Sequence, residues 1–263
     1  MYKNGFSLVE LAVVLVILGL LTGGILAGRS LIRASELRSI TVEAQGYKTA
    51  IYSFRDKYFA LPGDMPNATR VWGDQATGTN ACADAAIPNG TPGTCNGNGD
   101  GWIGNNGYGP AASEATRAWQ HLANASLIEG TYTGYTAGAP NPALPGTNVP
   151  TSKLARAGWG LFYRGNAYGS STSFIWRQSH NFLQIGNPDA NGLFSGVISP
   201  SEAWNVDTKY DDGFPETGRL LGTAATSQAC VSPTGLSYTD APANRVYDLT
   251  QSNQLCTLYF KVN

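Results

Sequence analysis

Apolar residues along the chain fall into three regimes. From Leu11 to Gly28 no charged residue interrupts an apolar run of 18 positions. As a helix this run is about 27 Å long, close to the hydrocarbon thickness of a bilayer. Beyond it, Leu37, Ile40, Ala44, Tyr47, Ile51, Phe54 and Tyr58 recur at spacings of three and four, the stripe of an amphipathic helix. Glu36, Arg38, Glu43, Lys48, Arg55 and Lys57 fall off that stripe. Leu61-Pro62-Gly63 stops the helix, which is expected to run from Phe6 to Ala60. A coiled coil is the alternative, but the short stripe ending at Pro62 fits packing on a head domain better.

After Pro62 the pattern shortens. Gly63 to Asn80 reads as loop and turn, and Pro110 to Ile128 as a short amphipathic helix with Trp119, Leu122 and Ile128 inward. Thr131 to Ser152, which carries no charge and four prolines, reads as a surface loop. Strands are expected at Gly158–Tyr163, Ser173–Arg177, Phe182–Ile185, Arg219–Gly222 and Leu255–Val262, and a helical turn at Ser201–Val206. A long N-terminal helix followed by strands predicts an α+β fold, the helix packed on an antiparallel-sheet head with long loops. The expected organisation is residues 1–5 as leader, 6–28 as transmembrane and assembly helix, 29–60 as its amphipathic continuation and 61–263 as the head.

Composition changes the picture in one respect. The net charge of -1 and the 13% of charged residues leave no basic stripe beyond Arg29, Arg33 and Arg38, so no nucleic-acid partner is expected. The four cysteines, Cys82, Cys95, Cys230 and Cys256, lack metal-ligand spacing. An even count in an exported domain favours disulfides, with Cys82–Cys95 and Cys230–Cys256 preferred. The other two pairings, and free buried thiols, stay open.

Within the apolar run Glu10 stands out. A carboxylate there costs several kcal/mol unless neutralised, so it marks function. An ordinary signal peptide or a plain anchor leaves it unexplained. Gly5-Phe6-Ser7-Leu8-Val9-Glu10 and the uncharged run behind it resemble the processing site of type IV pilins and type II secretion pseudopilins. The resemblance implies cleavage after Gly5 by a prepilin peptidase, methylation of the new amine on Phe6, and an assembly role for Glu10. It implies related pilin subunits, that peptidase, an inner-membrane assembly platform and the membrane as partners. It also implies a single pass through a bacterial inner membrane, a periplasmic head and an extracellular filament. Arg29 and Arg33, against Lys3 alone before the run, would by the positive-inside rule place the head in the cytoplasm. The implied cytoplasmic processing and the cysteines oppose this. The segments YFALPGDMPNAT, AWQHLANASLIEG and DDGFPETG resemble a branch of larger pilin-like proteins.

Few residues suggest further chemistry. Asn96, Asn98 and Asp100, with Gly101 next, echo the opening of a calcium loop, Glu114 serving as a later ligand. A metal-free turn closed by Cys82–Cys95 is the alternative, and no other cofactor is expected. Asp207, Lys209, Asp211 and Asp212 read as a turn after a short helix rather than a cation site. No GxSxG, HExxH or P-loop pattern accompanies His121 and His180, so no enzyme is expected. The expected function is a structural filament subunit, pilus-like or pseudopilus. The alternative is a minor tip subunit with an adhesive or ligand-binding head.

Overall fold

The computed structural model describes residues 7–75, 93–104, 114–135, 143–164, 180–190, 192–224, 230–232 and 245–262. One helix dominates it. α1 (Leu8–Tyr58, 51 residues) is about 77 Å long at the standard rise. Ser7 caps its start, and Phe59 ends it in the left-handed conformation, donating its N–H to the Arg55 carbonyl at 2.8 Å. Pro62 then forbids continuation. The N-terminal part is exposed along its whole length, Leu8 to Leu26 included. Burial begins at the predicted stripe: Ile40, Ala44, Ile51 and Phe54 are fully enclosed, with Leu37, Tyr47 and Tyr58 packed against them. Lys48, expected off the stripe, is buried as well. Its apolar stem lies in the core while Nζ meets the Tyr210 hydroxyl at 3.1 Å.

The head is a five-stranded antiparallel sheet with three further helices. β1 (Gly158–Arg164), β2 (His180–Asp189), β7 (Cys256–Lys261) and β4 (Leu220–Ala224) lie in that order, and β3 (Gly192–Ser195) pairs with the far end of β2. The pairing sets Leu161, Leu183, Phe260 and Leu220 in one row across the sheet. With Trp159, Ile185 and Leu258 they face the core beneath α1. The alternate residues Phe162, Phe182, Tyr259 and Leu221 fill a second cluster on the opposite face, which also holds Phe194. β5 (Val231–Ser232) and β6 (Val246–Tyr247) form a separate ribbon. It crosses so near β4 that a Cβ on Gly222 would lie 2.4 Å from the Tyr247 hydroxyl.

α1 meets the head through α3 (Glu114–Asn124) and α4 (Pro200–Tyr210). Tyr47 wedges its ring edge-on between Trp119 of α3 and Trp159 of β1, at 5.0 and 5.6 Å between centroids. The Tyr52 hydroxyl donates to the Val262 carbonyl at the end of β7. A disulfide joins Cys230 to Cys256. Cys95 is disulfide-bonded too, while Cys82, its expected partner, lies outside the described residues.

Several expectations need correction. The stretch from Gly63 is not all loop: α2 (Ala68–Trp72) forms there, and Trp72 stacks between Phe54, Tyr58 and His121. α3 is buried from Ala115 to Leu122 rather than on one side, because sheet, loops and α1 surround it. The segment expected as surface loop buries Ala143, Asn148 and Val149. The turn expected at Ser201–Val206 is the first half of α4, an 11-residue helix that starts with a capping box, Ser199 with Glu202, and a proline in its first turn. β3, β5 and β6 went unpredicted. The expected strand at Ser173–Arg177 lies outside the described residues.

Candidate functional site

At the start of α1 the backbone needs acceptors for its free N–H groups. Ser7 Oγ accepts from Glu10 N at 3.2 Å, and Glu10 Oε2 accepts from Ser7 N at 2.8 Å. Glu10 thus closes the first turn of the helix while remaining exposed. It is the only charged residue between Leu8 and Gly28. Gly5 and Phe6 lie outside the described residues. Glu10 Oε2 nevertheless already binds the amide of the residue next to Phe6. Around Glu10, Leu8, Val9, Leu11, Val13 and Val14 are all more than half exposed. This helix is long and apolar enough to cross a membrane, with none of its most apolar stretch covered by the head.

The span passes into the head through an ion-pair clamp. Arg33 Nε and Nη2 reach the two carboxylate oxygens of Glu202 at 2.6 and 2.8 Å, and Nη1 reaches Glu36 at 2.9 Å. Glu202 also accepts from Ser199 N at 3.0 Å, so one carboxylate caps α4 and holds it to α1. Burial pushes the Glu202 carboxyl up, but Arg33 and Ser199 outweigh it and keep the group below its ordinary value. The guanidinium of Arg33 is correspondingly held charged by Glu202. Nearly three turns beyond Arg33, Glu43 accepts from Ser152 Oγ, Lys153 N and Trp159 Nε1 at 2.6 to 2.9 Å, fixing the strand-entry loop.

The residues expected to hold calcium lie together, arranged around a residue the sequence did not flag. Asp64, 3% exposed, accepts from the backbone N–H groups of Gly99, Asp100 and Gly101. Glu114 accepts from Asn98 N and Gly104 N at 2.9 and 2.7 Å. Asn96 Oδ1 accepts from Thr69 N, and Asp100 Oδ1 from Trp102 N. These oxygens are therefore engaged by backbone amides, those of the loop and, for Asn96, that of Thr69 in α2. Burial raises the carboxyls of both Asp64 and Glu114, and each also feels Asp100. Gly63 makes the approach possible: its φ of 86° suits glycine, and a Cβ there would sit 2.3 Å from the Glu114 carbonyl.

Elsewhere the polar residues are structural in their contacts. His121, fully buried, accepts from Gly63 N at Nδ1 (3.0 Å) and faces Thr94 Oγ1 and the Cys95 carbonyl with Nε2. The accepting Nδ1 places the proton on Nε2. Burial lowers its pKa to about 4, so the ring is neutral. His180 opens β2 beside Phe182. Asp207 is enclosed on α4, bonded by the Tyr247 hydroxyl at 2.7 Å and raised to about 7 by burial. Asp211 accepts from Arg219 N and Leu220 N, and Asp212 from Phe214 N and Thr217 Oγ1. Lys209 is exposed. Trp119 and Trp159 are core, and Trp102 and Trp204 are partly exposed.

A single apolar helix among the described residues, left uncovered by the head, fits a membrane-anchored, single-pass protein of α+β fold. A family model described as the prokaryotic N-terminal methylation motif matches residues 1–26, so the chain carries the signature of type IV pilins and pseudopilins. Comparison with curated proteins and with solved structures finds no match.

Proposed function

We propose that the chain is a structural subunit of a filament of the type IV pilus or type II secretion pseudopilus kind. A prepilin peptidase cuts between Gly5 and Phe6, the amine of Phe6 is methylated, and the head stands in the periplasm until assembly carries it out of the cell. The observation that carries this reading is Glu10 within the methylation motif, on a helix whose apolar surface the head leaves bare. A bare apolar helix outside lipid needs other helices to cover it. An uncompensated carboxylate among them needs a cation. The new amine on Phe6 of an adjacent subunit supplies one. The pair then penalises wrong registers more than it adds affinity.

In this reading the protein is not an enzyme, and His121 and Asp207 support the fold. The loop at 96–104 is held by Asp64 and Glu114 without a cation. Mass spectrometry of the mature N-terminus tests processing: methylated phenylalanine from Phe6 is expected, and a chain retaining residues 1–5 would remove the proposal. Glu10→Ala tests assembly. The variant should enter the membrane normally yet be missing from sheared filaments, and normal incorporation would refute the role of Glu10.

A further inference from the structure

We infer that the guanidinium of Arg117 is a binding site inside the head for a small monovalent oxyanion of the carboxylate kind. The inference concerns the head alone and does not rest on filament assembly.

Arg117 lies on α3 and is 1% exposed. Two glutamines hold its head from one side. Nη1 donates to Gln75 Oε1 and, at 3.0 Å, to Gln120 Oε1. Nε and Nη2 are buried without a hydrogen-bond partner. These two nitrogens share one edge of the guanidinium, the edge that meets the two oxygens of a carboxylate side by side. The fold therefore fixes the fork in place and leaves its paired N–H groups unanswered. Among the described residues no acid answers the charge either. Asp74 is the carboxylate whose field reaches Arg117, but it is exposed and no ion pair joins the two. Burial lowers the Arg117 pKa only to about 10, so the group is a cation at neutral pH. A buried ion is unfavourable unless it is both paired and hydrogen-bonded. An anion seated on the free edge removes both deficits together.

The surroundings select the class of anion. Gln75 Nε2 donates to the Thr133 carbonyl, and Gln120 Nε2 to the carbonyls of Gly93 and Thr133. Thr94 Oγ1 donates to Gln120 Oε1. With those donors occupied, the free edge offers one positive charge and the N–H groups of Nε and Nη2. One negative charge on two coplanar oxygens matches it, as in formate, acetate or bicarbonate. Phosphate carries more charge than Arg117 balances, and its remaining oxygens would be buried without donors. Chloride balances the charge but lacks the two separate acceptors that the fork addresses. Because Arg117 is enclosed, exchange requires the head to open locally, so a bound anion should leave slowly.

The test uses the full chain in detergent, warmed with radiolabelled formate, cooled and desalted. Wild type should retain the label stoichiometrically. Its melting temperature should be higher in formate than in chloride at equal ionic strength, rising by roughly 3–5 °C for each tenfold in formate above Kd. These two wild-type measurements stand whether or not any variant folds. Arg117→Gln should retain no label and melt alike in both salts. Arg117→Lys keeps the charge but not the fork, and should bind formate at least about tenfold more weakly. Arg70→Gln, which removes an exposed cation on α2, should behave as wild type. A wild type that keeps no label and melts alike in formate and chloride would overturn the inference. So would a formate response that survives in Arg117→Gln, one that is lost equally in Arg70→Gln, or stronger stabilisation by phosphate than by formate.

Discussion

His121 carries a cost in acid that can be measured. Its neutral ring accepts the Gly63 N–H through Nδ1, and protonation would abolish that bond inside the core. The folded pKa of about 4 lies below the ordinary 6.5. The native state thus holds fewer protons than the unfolded chain, and stability is lost as pH falls from 6.5 toward 4. Asp207 works in the opposite direction. Its folded pKa of about 7 is above the ordinary 3.8. Stability therefore declines as pH rises from 3.8 to 7 and is flat beyond. Melting curves of Asp207→Asn should lose this decline and lie above wild type at pH 8, while His121→Ala should destabilise by roughly 2–4 kcal/mol through its cavity and the stranded amide. Lys48 and Asp64 escaped the sequence reading for related reasons. A lysine stem and an aspartate after Pro-Gly look like surface residues until partners far along the chain surround them; those of Asp64 lie 35 to 37 residues away.

Among elements, those with a sustained period were the legible ones. α1 and its stripe follow from residue order because one repeating face is buried, and β1, β2 and β7 follow as short runs of aromatic and branched residues buried on both faces. β3, β5 and β6 have four or two residues, too few for a period to show. α4 has few apolar positions, yet its capping box was there to be read in Ser199-Pro200-Ser201-Glu202. That box has a double duty. Glu202→Ala removes the cap and the Arg33 partner together and should cost about 1–2 kcal/mol. Arg33→Ala, on a partly exposed pair, should cost at most about 1 kcal/mol. Denaturant unfolding in detergent compares the two, and equal losses would mean the cap contributes nothing. Reduction of Cys230–Cys256, which spans 26 residues, should lower stability by about 3 kcal/mol. For the 96–104 loop, melting should be unchanged between millimolar calcium and chelator. A rise with calcium would restore the metal site.

On the scale of the whole molecule, the chain is a bare apolar rod joined to a compact head by the clamp at Arg33 and the aromatic wedge at Tyr47. The signature at residues 1–26 and the rod were both plain from the residues, since hydropathy needs no tertiary context. The head's contacts were not, because they join segments more than a hundred residues apart, as Glu43 with Trp159 does. β7 takes this furthest. It is the last strand described and lies inside the sheet, between β2 and β4. Until the ribosome has delivered it, β2 and β4 have no common neighbour and Cys230 lacks its native partner Cys256. The sheet of the nascent head therefore stays open until β7 emerges. A machine that must thread an unfolded polypeptide has that entire interval in which to act.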